Sequence, residues 1–143
     1  RVNALLSFAY TLLAHDCASA IEAAGMDSYI GILHRDRPGR QSLALDLMEE
    51  LRSVYADRFV LSLINNRVLP ASCFKPMEDG AVLLNAEGRK TFLSKWQERK
   101  KETLTHPFLD EKIYWGLIPY VQALLLARYI RGDLAGYPPF LWK

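Results

Sequence analysis

A chain of 143 residues, half of them apolar, holds enough apolar side chains for the core of one ordinary domain. Its 18 Lys and Arg against 16 Asp and Glu leave a net charge of +2, which does not mark nucleic-acid binding without a basic face. Cys17 and Cys73 lie far apart and outside any CxxC or Cys/His spacing, which argues against a zinc knuckle or a disulfide framework and for two reduced thiols.

The apolar pattern predicts a mainly α chain. Residues 2 to 24 place Leu5, Leu6, Ala9, Leu12, Leu13, Cys17, Ala20 and Ile21 at three-to-four residue spacing, with Gly25 as the helix stop. Nothing caps the start, because Arg1, Val2 and Asn3 run straight into the pattern, and a chain cut from a larger protein is expected. Residues 29 to 34 form an apolar approach to a turn at 35 to 40 that contains Pro38-Gly39. Ser42 is a candidate cap for a helix over 43 to 55 whose apolar side carries Leu43, Leu47, Met48, Leu51, Val54 and Tyr55. Asp57 is a candidate cap for a second short helix, 58 to 65.

Residues 68 to 85 lose the helical period, and the turn chemistry of Asp79-Gly80 between two apolar runs predicts one short β-hairpin near 73 to 84. Asn85 then precedes an amphipathic helix to about residue 102, with Phe92 and Trp96 inside and Arg89, Lys90, Arg99 and Lys100 outside. A last helix is expected over 109 to 130, bent at Pro119, followed by an extended tail anchored by Tyr137, Phe140 and Trp142. The stretch 113 to 130 is interrupted by Gly116, Pro119, Gln122 and Arg128 and falls short of the roughly 20 apolar residues of a membrane span. No transmembrane helix and no secretory signal are expected, and the protein is placed in the cytoplasm.

The chemistry concentrates in 34 to 50, where an imidazole, an arginine-rich turn and helical carboxylates follow one another. Asp46 and Glu49 are three apart and share a helix face; a step of about 100° per residue directs both away from the apolar side. With His34 they form a mixed N/O donor set that suits Mg²⁺ or Mn²⁺ acting on phosphate, and Arg35, Arg37 and Arg40 can hold phosphates. Two acids on the outer side of a helix equally fit a solvated face, and the three arginines equally fit surface pairing with Asp36 and nearby acids. Lys95, Arg99, Lys100 and Lys101 fit a solvated face or contact with a DNA backbone. His15 reads as a core-edge residue, His106 as a loop residue at a helix entry, and Trp96, Trp115 and Phe92 as core aromatics.

Gly31-Ile32-Leu33-His34, followed by the run from Ser42 to Glu49 and by Arg52, resembles the central motif of the CRISPR-associated integrase and endonuclease family, the first-numbered Cas protein. The run from Val2 to Tyr10 resembles the first helix of that family's catalytic region, Asp57 a helix start, and Gly132 with 137 to 140 its C-terminal end. The resemblance spans essentially the whole chain and implies a helical catalytic domain over 1–143, truncated from a longer protein whose β-rich N-terminal domain is absent. It implies His34 and Glu49 as metal ligands, Asp46 as an acid of the same catalytic site, and a further glutamate upstream of Arg1. Spacing leaves open whether Asp46 binds metal directly or through water.

The same resemblance implies joining of new spacers into a CRISPR repeat array by transesterification, cutting of branched DNA, a homodimer, and a small companion Cas protein. Without the upstream glutamate the chain by itself is expected to be inactive. A noncatalytic helical module for DNA binding or protein interaction is the alternative.

Overall fold

The computed structural model describes residues 1–26 and 42–141. α1, Val2–Ala23, buries Leu5, Ala9, Leu13, Cys17, Ala20 and Ile21, the stripe that its periodicity predicts. It ends in a Schellman motif: Met26 N–H donates to Ile21 O, Gly25 N–H donates to Glu22 O, and Gly25 takes φ +81°. By length and apolar content α1 would also pass for a membrane span, the one described helix that does. Its one-sided burial against the rest of the domain is the pattern of a core helix.

α2, Ser42–Leu51, crosses α1 and continues through a π-helical turn, Arg52–Asp57, into α3, Arg58–Asn65. The expected break at Asp57 is absent. Asp57 has helical backbone angles and makes no side-chain cap, and Arg58 N–H donates five residues back to Ser53 O. The wide turn absorbs one extra residue, so the apolar sides of α2 and α3 fall out of step in the sequence while remaining parts of one rod.

The predicted hairpin is present: β1, Phe74–Pro76, pairs antiparallel with β2, Val82–Leu84, around Gly80 at φ +88°. Asn85 caps α4, Ala86–Lys100, by accepting from Gly88 N–H at 2.8 Å. Gly88 lets the helix lie against the hairpin base, since a Cβ there would meet Cys73 O at 2.9 Å.

A second hairpin, β3, Thr103–Thr105, with β4, Lys112–Tyr114, takes the place where the last helix was expected to start. Thr103, Thr105, Ile113 and Tyr114 favour extended backbone, and Asp110 turns the connection at φ +56°. α5 is therefore shorter, Ile118–Ile130, and Pro119 sits in its first turn. There the missing N–H has no helical partner to lose, so the proline opens the helix instead of bending it. The fold is mainly α, with two small hairpins among the described residues.

The core centres on rings. Phe59 lies 5.2 Å from Phe92 and 5.0 Å from Trp96, Tyr55 lies 5.2 Å from Trp96 and 5.5 Å from Trp115, and Phe8 lies 4.9 Å from Phe92. Edge-to-face geometry dominates the set, as ring quadrupoles favour. Arg99 and Lys100 do not stand on an outer face as expected. The Arg99 guanidinium lies 5.7 Å from the Phe59 ring centre, and Lys100 Nζ pairs with Asp16 at 3.0 Å. Trp96 Nε1 also donates to Asp16, tying α4 to α1.

Candidate functional site

α2 carries three acids within five residues, and the fold treats each differently. Glu49 faces outward, with its side chain 53% exposed and Oε1 3.3 Å from Arg52 Nη1. The Arg52 guanidinium lies 5.6 Å over the Tyr10 ring, and the Tyr10 hydroxyl donates to Asp57 at 2.6 Å. That hydrogen bond, then burial and the Asp57 charge, raise the Tyr10 pKa. An exposed pair such as Glu49 and Arg52 binds weakly, so the Glu49 carboxylate stays available to another cation.

Asp46 does not face away from the core as expected; it is 7% exposed. It borders a cavity of about 70 Å³ that Leu126 and Tyr129 of α5 and Tyr137 of the tail also line. The reason is a wider buried arc than the apolar residues alone marked. α2 packs against α1 and also against α5, and the cavity beside α5 and the tail is lined by Leu43 and Leu47 together with Asp46, which lies about 60° from Glu49.

Glu50 is the functional-looking residue that the sequence reading did not single out. Its Oε2 accepts from Tyr137 OH at 2.8 Å, Gln122 Nε2 at 2.9 Å and Phe140 N–H at 3.1 Å. Burial raises its pKa first, and the donors from Tyr137, Gln122 and Phe140 pull it back part of the way. Gln122 is itself fully buried and meets His106 Nε2 through Oε1 at 2.7 Å. His106 is thus no simple loop residue: it has 0% exposure, and its Nδ1 accepts from Phe108 N–H and Leu109 N–H. His15, expected at the core edge, is exposed on α1.

His34, Arg35, Arg37 and Arg40 lie outside the described residues, as does Trp142. The expected approach of His34 to Glu49 therefore has no geometry here. Among the described residues no three His, Cys, Asp or Glu side chains converge as a metal site. Both cysteines are free, and both are buried.

The family model described as "CRISPR associated protein Cas1" matches residues 1–98. "CRISPR-associated endonuclease Cas1 2" of Rhodospirillum rubrum is 64% identical over 99% of this chain, which spans 41% of that protein. "CRISPR-associated endonuclease Cas1 1" of Chlorobaculum tepidum is 54% identical over the whole chain, which spans 42% of it. Among solved structures, "Casposase bound to integration product" matches with a TM-score of 0.84 at 25% identity, over 94% of this chain and 37% of that one. A Cas1 protein from Thermotoga maritima matches with a TM-score of 0.79 at 29% identity, over 91% of this chain and 40% of that one. The chain thus spans about two fifths of the length of these relatives, and with a family match over most of its residues it belongs to the Cas1 family.

Proposed function

We propose that this chain is the helical catalytic part of a metal-dependent DNA endonuclease and integrase that inserts new spacers into a CRISPR array. One observation supports this most: a chain-long match to CRISPR-associated endonucleases coincides with an outward, weakly paired carboxylate at Glu49, the motif's ligand position. The donor chemistry fits. Carboxylate oxygen from Glu49, with an imidazole from His34, would give a mixed N/O set for Mg²⁺ or Mn²⁺, and the bound ion would neutralise nonbridging phosphate oxygens. Asp46, one turn before Glu49 on α2 and lining the cavity beside the tail, matches a further acid of the same proposed site.

In the proposed transesterification a spacer 3′-hydroxyl gives up its proton as its oxygen forms the new P–O bond, the repeat strand's P–O3′ bond breaks, and the released 3′-oxygen takes up one proton, so the proton count is unchanged. Glu49 and His34 hold the reacting phosphate's counter-charge in place, and Arg35, Arg37 and Arg40 orient the DNA backbone. DNA as substrate is supported by the likeness to the casposase on its integration product. The family reading adds a homodimer and a small companion Cas protein.

The test uses the full-length protein and branched DNA in Mn²⁺. Glu49→Ala and His34→Ala are expected to lower cutting by at least about 100-fold with DNA affinity nearly unchanged, because a lost ligand disables the transition state. Each true phosphate contact among the three arginines is expected to reduce the salt slope of binding by about one when replaced. Wild-type cutting by His34→Ala would end the catalytic reading and favour the noncatalytic DNA-binding module.

A further inference from the structure

We propose that Glu50 is a positioning residue: through it the C-terminal tail and α5 fix the rotation of α2 and so aim the adjacent Glu49 carboxylate. The proposal rests on the reading of Glu49 as a metal ligand. Glu50 Oε2 collects Tyr137 OH, Gln122 Nε2 and Phe140 N–H, donors that come from two segments 72 to 90 residues away. The donors form a chain with one sense. His106 Nδ1 accepts two backbone N–H groups, so its proton lies on Nε2 and is donated to Gln122 Oε1, which turns the Gln122 amide N–H groups toward Glu50.

Gln122 Nε2 also lies 2.8 Å from Tyr137 OH and 3.2 Å from Pro138 O, which leaves no second orientation for the amide. The His106 ring packs 5.5 Å from Phe140, whose ring lies 6.2 Å from Trp115, so the tail is held by apolar contact as well. A rotation of α2 about its own axis would carry Glu50 Oε2 away from the point where the three donors converge. Glu49 projects about 100° around the helix from Glu50 and moves with it. An apolar side chain at Glu50 could fill the same space without fixing that angle, whereas a half-buried carboxylate whose Oε2 accepts three hydrogen bonds favours one arrangement.

The experiment measures Mn²⁺ affinity by electron paramagnetic resonance, and kcat and KM on branched DNA, in the full-length protein. Glu50→Ala is expected to weaken Mn²⁺ binding by about 10-fold or more and to lower kcat with KM for DNA unchanged, the size seen when outer partners of ligands are removed. Glu50→Gln keeps an oxygen that can accept the same donors and is expected to stay close to wild type. Tyr137→Phe, a milder change should Glu50→Ala not fold, is expected to show a smaller loss in the same direction. Leu63→Ala, in the core of α3, serves as a destabilised control and is expected to bind Mn²⁺ normally.

Wild-type Mn²⁺ affinity in both Glu50→Ala and Tyr137→Phe, or an equal loss in Leu63→Ala, overturns the positioning role. Glu49→Ala separates the two readings. If it retains wild-type Mn²⁺ affinity, the metal role of Glu49 fails and the proposal fails with it; if only Glu49→Ala loses affinity, positioning alone fails.

Discussion

The ring cluster between α1, α3 and α4 and the polar seam between α2, α5 and the tail hold side chains in place by opposite means, the first fully buried and the second with Glu50 and Tyr137 half-buried. In the cluster, Phe59, Phe92, Trp96, Tyr55 and Trp115 hold one another through area and tilted ring contacts. In the seam, Glu50, Gln122, Tyr137 and His106 are held by directional bonds of 2.7 to 3.1 Å. Ring packing is strong and tolerant of small shifts; a buried network is weaker in sum and stricter in angle. The strict region lies beside the helix that carries the acids.

The largest expected effect on stability is at the cluster. Trp96→Ala removes contacts to Tyr55, Phe59 and Phe92 and the donor to Asp16, and should cost about 3–5 kcal/mol by denaturant titration. Gln122→Ala comes next, at about 2–4 kcal/mol, because it strands the His106 N–H and takes one donor from Glu50. A larger loss from Gln122→Ala than from Trp96→Ala would reverse the ranking of the two regions. Chemical denaturation of both variants under one set of conditions decides it.

The smallest effect sharpens the boundary between them. Cys17, fully buried on α1, has its thiol pKa raised first by burial and then by Asp16, which touches the cluster, and by Glu50 of the seam. A raised folded pKa means that its contribution is complete below the unfolded thiol value of about 8.5 and is lost as pH rises above it. Stability should therefore fall with pH above about 8.5, and Cys17→Ala should flatten that slope while lowering stability throughout. At pH 8 the native thiol should resist a disulfide reagent that labels the unfolded chain at once. Rapid labelling of folded protein would show that neither region closes over α1.

Much of this was legible from spacing. The α1 stripe, the Gly80 hairpin, the helix that follows Asn85 and the inward Phe92 and Trp96 follow from period and turn chemistry, which act over a few residues. The second hairpin was hidden because Leu109, Ile113, Trp115 and Leu117 continue an apolar run that also suits a helix. Glu50 was within reach of the same arithmetic that exposed Glu49: about 340° from Leu43, it falls between Asp46 and Leu43, on the covered side. Its partners were not, since they are 72 to 90 residues distant and no local pattern joins them. For His34 and the arginines the motif is legible, and their positions lie outside the described residues.

The π-helical turn at Arg52–Asp57 also governs which changes of length the chain can tolerate. A wide turn is a stored insertion, so deleting one of its exposed residues, Ser53 for example, lets the rod close to regular α geometry and leaves α3 facing Phe92 and Trp96. The same single deletion inside α3 has no slack to draw on. It swings every later residue of that helix by about 100° and carries Leu63 out of the core.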